Sequence, residues 1–125
     1  NRRMMADVPD ADVVITNPTH YAVALKYDPQ GMPAPMLLAK GVDETALKIR
    51  EIAGEYKIPV LEMPALARSI YHHTEIGQEI PEGLYVAVAQ VLAFVFQTDQ
   101  WKKGRAPRPE RKPSVDIPDD LKADD

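Results

Sequence analysis

Cysteine is absent from this chain. Its absence excludes a disulfide framework, a thiol nucleophile and a cysteine-based metal site, and it fits a reducing compartment. A bilayer-spanning run is missing as well. The longest apolar stretch, Tyr85 to Phe96, is interrupted by Gln90 and falls far short of the ~20 residues that cross a membrane as a helix. It reads as a buried helix. No secretory signal opens the sequence, and no internal repeat runs through it. A basic excess is also lacking: the formal net charge of -4 argues against a nucleic-acid surface and favours a protein partner. Lys40-Gly41 precedes a helical pattern, but no glycine-rich loop accompanies it and Asp43-Glu44 would repel an anion, so a nucleotide site is set aside. His72 and His73 are adjacent and point about 100° apart on a helix, which suits a solvated helix end better than one shared metal. With no cofactor motif left, none is expected.

What the chain does have, in 125 residues of which 45% are hydrophobic, is enough apolar material for one domain with tails. Its most informative stretch is Asn17-Pro18-Thr19-His20. Asp12-Val13-Val14-Ile15-Thr16 before it and Tyr21 to Tyr27 after it read as strands, so these four residues form the junction between them. Pro18 has no N–H, which closes the usual route in which the following amide attacks the Asn side chain. The reverse attack stays open. The Asn17 carboxamide nitrogen can add to its own main-chain carbonyl, close a succinimide and expel Pro18 as a new amino terminus. Attacker and carbonyl belong to one residue, so the reaction gains from proximity if the turn holds the side chain over the carbonyl carbon. Pro18 narrows the conformers of the turn, Thr19 can orient it through its hydroxyl, and His20 can act as base. From these four residues alone, an inert strand-ending turn is the competing reading.

Residues 28–35 are rich in breakers and form a loop. A strand from Met36 to Lys40 follows. Asp43 is placed as the N-cap of a helix running to about Tyr56, and Lys48 with Glu44 and Arg50 with Glu51 are placed as surface pairs. Residues 59–62 form a fourth strand. Strand, helix and strand make a βαβ unit with parallel strands. Pro64 opens a second helix ending near His73, and Pro81-Glu82 opens a third, with Leu84, Tyr85, Val88, Val91, Leu92 and Val95 as its apolar stripe. The fold class is α/β, a small four-stranded mixed sheet flanked by helices. Beyond Lys102 the chain is proline-rich and nearly free of large apolar groups, which predicts a flexible C-terminal tail.

Met5-Ala6-Asp7-Val8-Pro9, the stretch from Asp12 to Tyr21, Ala39-Lys40-Gly41, Lys48 to Ala53, Leu66 to Tyr71 and Glu75 to Pro81 together resemble the cytoplasmic domain of the FlhB/YscU family. These are substrate-specificity switch proteins of type III export, and Glu75-Ile76-Gly77-Gln78-Glu79-Ile80-Pro81 is more similar to the flagellar branch. The resemblance covers roughly residues 4 to 101. It implies self-cleavage between Asn17 and Pro18, with Asn17, Pro18, Thr19 and His20 matching the family motif at every position. This is a single event, not turnover.

The resemblance also implies a hydrophobic substrate-receiving patch at Ala34, Pro35, Ala89 and Leu92. Residues 1–11 would then be a juxtamembrane linker, 12–103 the autocleaving switch domain and 104–125 the tail. Implied partners are other export gate components, a hook-length control protein, rod and hook export substrates, and the chain's own cleaved N-terminal fragment, with no nucleic acid. A membrane anchor would precede this sequence, placing the domain at the cytoplasmic face of the bacterial inner membrane. Cleavage would permit the change from rod and hook to filament substrates. A docking module that does not cleave is the alternative, and a weaker one is an α/β RNA-binding domain suggested by Ala39-Lys40-Gly41.

Overall fold

A computed structural model describes residues 2–18 and 20–124, excluding the side chain of Arg2. Two apolar runs with a short turn between them make the first pair of strands. β1 (Val13–Asn17) and β2 (Tyr21–Lys26) are antiparallel, in a register that sets Val13 opposite Leu25 and Asn17 opposite Tyr21. β3 (Met36–Val42) adds antiparallel to β2, and β4 (Val60–Glu62) adds parallel to β1. The four-stranded sheet has the order β3-β2-β1-β4.

Period-two alternation sends neighbouring side chains to opposite faces, and here both faces are covered. Val13, Ile15, Tyr21, Val23 and Leu25 point to one side, where they meet Leu66, Ala67 and Ile70 of α3 (Pro64–His73) and Ala87, Val88 and Val91 of α4 (Tyr85–Lys102). Val14, Ala22 and Ala24 point to the other, against Ala46, Ile49 and Ala53 of α2 (Asp43–Glu55). The interior strands therefore lack the polar-out pattern of a half-exposed sheet. A bulge opposite Ala24/Leu25 keeps β3 in step. Leu37 and Ala39 would share a face in a regular strand, but the extra residue lets Leu37 join the α3 side and Ala39 the α2 side.

The small residues on the α2 side permit close approach. At Gly41 it is extreme, because a Cβ there would lie 2.3 Å from Cγ2 of Thr45. The strand can lead into α2 only if that position carries no side chain.

The structure bears on three sequence expectations. β3 and β4 do run in the same direction, but they are the two outer strands, with β2 and β1 between them. The local β1–β2 hairpin takes the interior and α2 crosses the sheet. Asp43 is not the N-cap: α2 starts from Val42 without a side-chain cap hydrogen bond, and Asp43 has a φ of 48°. Residues 2–10, expected as linker, are a helix, α1 (Arg2–Asp7), and a 3-10 turn (Val8–Asp10). Met4 and Val8 are buried in the α2-side core because the segment has apolar groups at the right spacing to cover it, and Met4 Sδ accepts the Lys40 N–H of the outer strand β3 at 3.4 Å.

Apart from a 3-10 turn (Asp119–Leu121), the described residues of the tail carry no helix or strand, and the tail lies on the domain. Its few apolar groups, Val115, Ile117 and Leu121, pack against the α3–α4 core. Lys112 Nζ donates to the Glu62 carbonyl at 2.6 Å, and Arg68 Nε donates to the Ala123 carbonyl at 3.0 Å. Contact is tight at Gly83, where a Cβ would come within 2.7 Å of Leu121 Cδ1.

Candidate functional site

The end of β1 and the start of β2 are held by the sheet, so the turn between them has fixed ends. Asn17 is the last residue of β1 and is only 7% exposed. Pro18 and His20 are exposed, and Thr19 lies outside the described residues. Asn17 thus sits where the core ends and the turn begins. The His20 main-chain N–H donates to the Asn17 carbonyl at 2.9 Å, closing a β-turn. The bond has chemical weight as well. Attack by the Asn17 carboxamide on that carbonyl carbon would place negative charge on the carbonyl oxygen, and a donor already on this oxygen is what such an intermediate requires. His20, expected as a base through its ring, thus contributes a main-chain donor. Its ring centroid lies 6.2 Å from that of Tyr21.

α2 reaches the same turn from one side. The Asp43 N–H donates to the His20 carbonyl at 2.9 Å, and Arg50 Nη1 donates to the Pro18 carbonyl at 2.9 Å. Arg50 was expected to pair with Glu51 on the surface; its bond goes to the turn instead, because the β3–α2 connection lays the helix alongside the hairpin. Tyr21, the first residue past the turn, is anchored on the other face. Its ring centroid is 4.8 Å from that of Tyr71 and 5.5 Å from that of His72, and its hydroxyl lies 3.3 Å from His72 Nε2. Lys40 Nζ sits over the Tyr71 ring and donates to the Tyr71 and Thr74 carbonyls, both at 2.9 Å, tying β3 to the end of α3. Neither Arg50 nor this aromatic group was assigned to the turn from sequence, since Arg50, Tyr71 and His72 lie dozens of residues from it. Among the described residues, no group of His, Cys, Asp or Glu could hold a metal.

The four residues expected as a patch occupy unlike environments. Ala34 and Pro35 are buried, and the Pro35 carbonyl accepts the Ile80 N–H at 3.0 Å. Ala89 is exposed on α4, whereas Leu92 is half-buried and lines an open groove with Tyr27 and Pro29 from the β2 end. Phe96, 63% exposed, extends this groove along α4.

The model of the family described as FlhB HrpN YscU SpaS matches residues 1–95. The flagellar biosynthetic protein FlhB of Salmonella typhimurium is 53% identical over 120 residues, which are 96% of this chain and 31% of that protein. FlhB of Bacillus subtilis is 54% identical over 99 residues, 79% of this chain and 28% of that one. The chain thus spans about a third of the length of these curated relatives. Among solved structures, the cytoplasmic domain of FlhB from Shewanella putrefaciens is 58% identical, with a TM-score of 0.92 over 98% of this chain and 95% of that one. A mutated EscU C-terminal domain is 34% identical, with a TM-score of 0.72 over 76% of this chain and 95% of that one. The overall fold is therefore shared with these domains, and the chain belongs to the FlhB, HrpN, YscU and SpaS family.

Proposed function

We infer that the chain is the cytoplasmic part of a flagellar type III export gate component that cuts itself once, between Asn17 and Pro18. Asn17 is consumed, so the event does not turn over. The observation that carries this reading is the nearly buried Asn17 at a strand end, with the His20 N–H already on its carbonyl oxygen. In the step, a bond forms between Asn17 Nδ2 and the Asn17 carbonyl carbon. The bond from that carbon to the Pro18 nitrogen breaks, and a proton passes from Nδ2 to the departing nitrogen. Water then opens the succinimide.

The cut would change export from rod and hook to filament substrates by freeing the turn and creating a new amine at Pro18. Partners on this reading are other gate components, a hook-length control protein, the rod and hook substrates and the N-terminal fragment, at the cytoplasmic face of the bacterial inner membrane. Ala89 and Leu92 would touch a substrate directly, while the buried Ala34 and Pro35 would shape the loop beneath it.

Intact-mass measurement after purification tests the chemistry. The expected result is two chains, residues 1–17 and 18–125, from the unaltered protein and one chain from Asn17→Ala. Cutting at the same bond in Asn17→Ala would replace side-chain cyclisation with another nucleophile. An uncut unaltered protein would leave the inert docking module as the function.

A further inference from the structure

We propose that Arg50 is a positioning residue for cleavage of the Asn17–Pro18 bond, acting on the leaving residue through its hydrogen bond to the Pro18 carbonyl. The inference rests on the self-cleavage reading above. Pro18 is the second residue of the turn, and the carbonyl of the second residue is the one that reverses when a β-turn passes between its two commonest types. The His20-to-Asn17 bond closes the turn in either case, so it does not choose between them. A guanidinium fixed on the Pro18 carbonyl at 2.9 Å does choose.

The donor is well braced. Asp43 and Arg50 are seven residues apart on α2, close to two full turns, so they lie on the same side of the helix roughly 10 Å apart along its axis. One holds the His20 carbonyl and the other the Pro18 carbonyl. Asp43 reaches its partner with a left-handed φ of 48°, a conformation uncommon outside glycine that the surrounding structure must enforce. Ile49, beside Arg50 on the helix, is fully buried against the sheet, so the base of the arginine is as fixed as the core.

When the Asn17 carbonyl carbon becomes tetrahedral, the Pro18 nitrogen must pyramidalise and turn away. If the Pro18–Thr19 peptide plane is free to flip, the turn can relax instead of breaking. Arg50 removes that escape. After the cut, the same hydrogen bond would keep the new amino terminus on α2.

The test follows the uncut fraction with time after pulsed cell-free synthesis, for the unaltered chain, Arg50→Ala, Arg50→Gln and Arg50→Lys. Thermal unfolding is measured in parallel with each Arg50 substitution in an Asn17→Ala background, so that every sample is one chain. Arg50→Ala and Arg50→Gln are expected to slow the cut about tenfold, equivalent to about 1.4 kcal/mol in the barrier. Arg50→Lys, which keeps a charged donor, should recover most of the rate, and the unfolding temperatures should stay within a degree or so of one another. Equal rates for the unaltered chain and Arg50→Ala overturn the proposal while leaving self-cleavage intact. So does slowing that tracks a lowered unfolding temperature or is not recovered by lysine, because the arginine is then only structural. An unaltered chain that never cuts removes the underlying reading and the proposal together.

Discussion

At the scale of single residues, the turn depends on how closely α2 can approach the sheet. Gly41 sets that distance, since a Cβ there would fall 2.3 Å from Thr45 Cγ2 and 2.7 Å from Thr45 Cβ. Gly41→Ala is therefore expected to destabilise the domain by about 1–3 kcal/mol, the usual cost of forcing extra volume into packed structure. Urea unfolding of single-chain protein checks it. Adding Thr45→Ala should restore only part of the loss, because the Thr45 Cβ clash remains. Ile15, fully buried in the middle of β1, is a contrasting case: Ile15→Ala should cost about 2–5 kcal/mol by leaving a cavity, read in the same assay. Asn17, Pro18 and His20 could be named as candidates from the sequence because the chemistry proposed for them is local to the chain. Arg50 could not, because its partner is 32 positions away and its own surroundings look like an ordinary solvated helix face.

At the scale of elements, the helices were legible where apolar residues recur at helical spacing, but a proline did not always mark their ends: α4 begins at Tyr85, after a 3-10 turn (Glu82–Leu84) that follows Pro81. Pro64 begins α3 as read, and His73 ends it. The packing of both terminal segments on the domain was hidden for one shared reason. A short segment with two or three apolar residues has too weak a pattern to announce itself, yet Met4 and Val8 at one end and Val115, Ile117 and Leu121 at the other find exposed core to cover. Strand adjacency was hidden too, since local patterns give a strand's faces but not its neighbours. Removing residues 113–125 is expected to leave the sheet and α1–α4 in place. It should lower stability by about 1–3 kcal/mol, less than full burial of three such side chains would imply. Calorimetry of the truncated and full chains checks this. Limited proteolysis should attack residues 104–108 before residues 115–121, given the packing of the latter against α3 and α4.

At the scale of the whole molecule, β1 is flanked on both sides, antiparallel to β2 and parallel to β4. Cutting after Asn17 removes none of those pairings. The fragments 1–17 and 18–125 are expected to travel as one species in size-exclusion chromatography and to part only when the domain unfolds in denaturant. Recovery of a folded large fragment without the small one would contradict this. Because Met4 and Val8 are also seated in the core, the small fragment is gripped by a helix as well as a strand. This central placement has a mechanical consequence. In the intact chain, a pull on the amino terminus along β1 passes through the covalent backbone into β2. Once the bond is cut, the same load is carried by two ladders of hydrogen bonds sheared side by side, with the core around Val14 and Ile15 resisting in parallel. Such a cut would turn a continuous tether into a clutch that transmits small forces and slips, by extraction of one strand, under large ones.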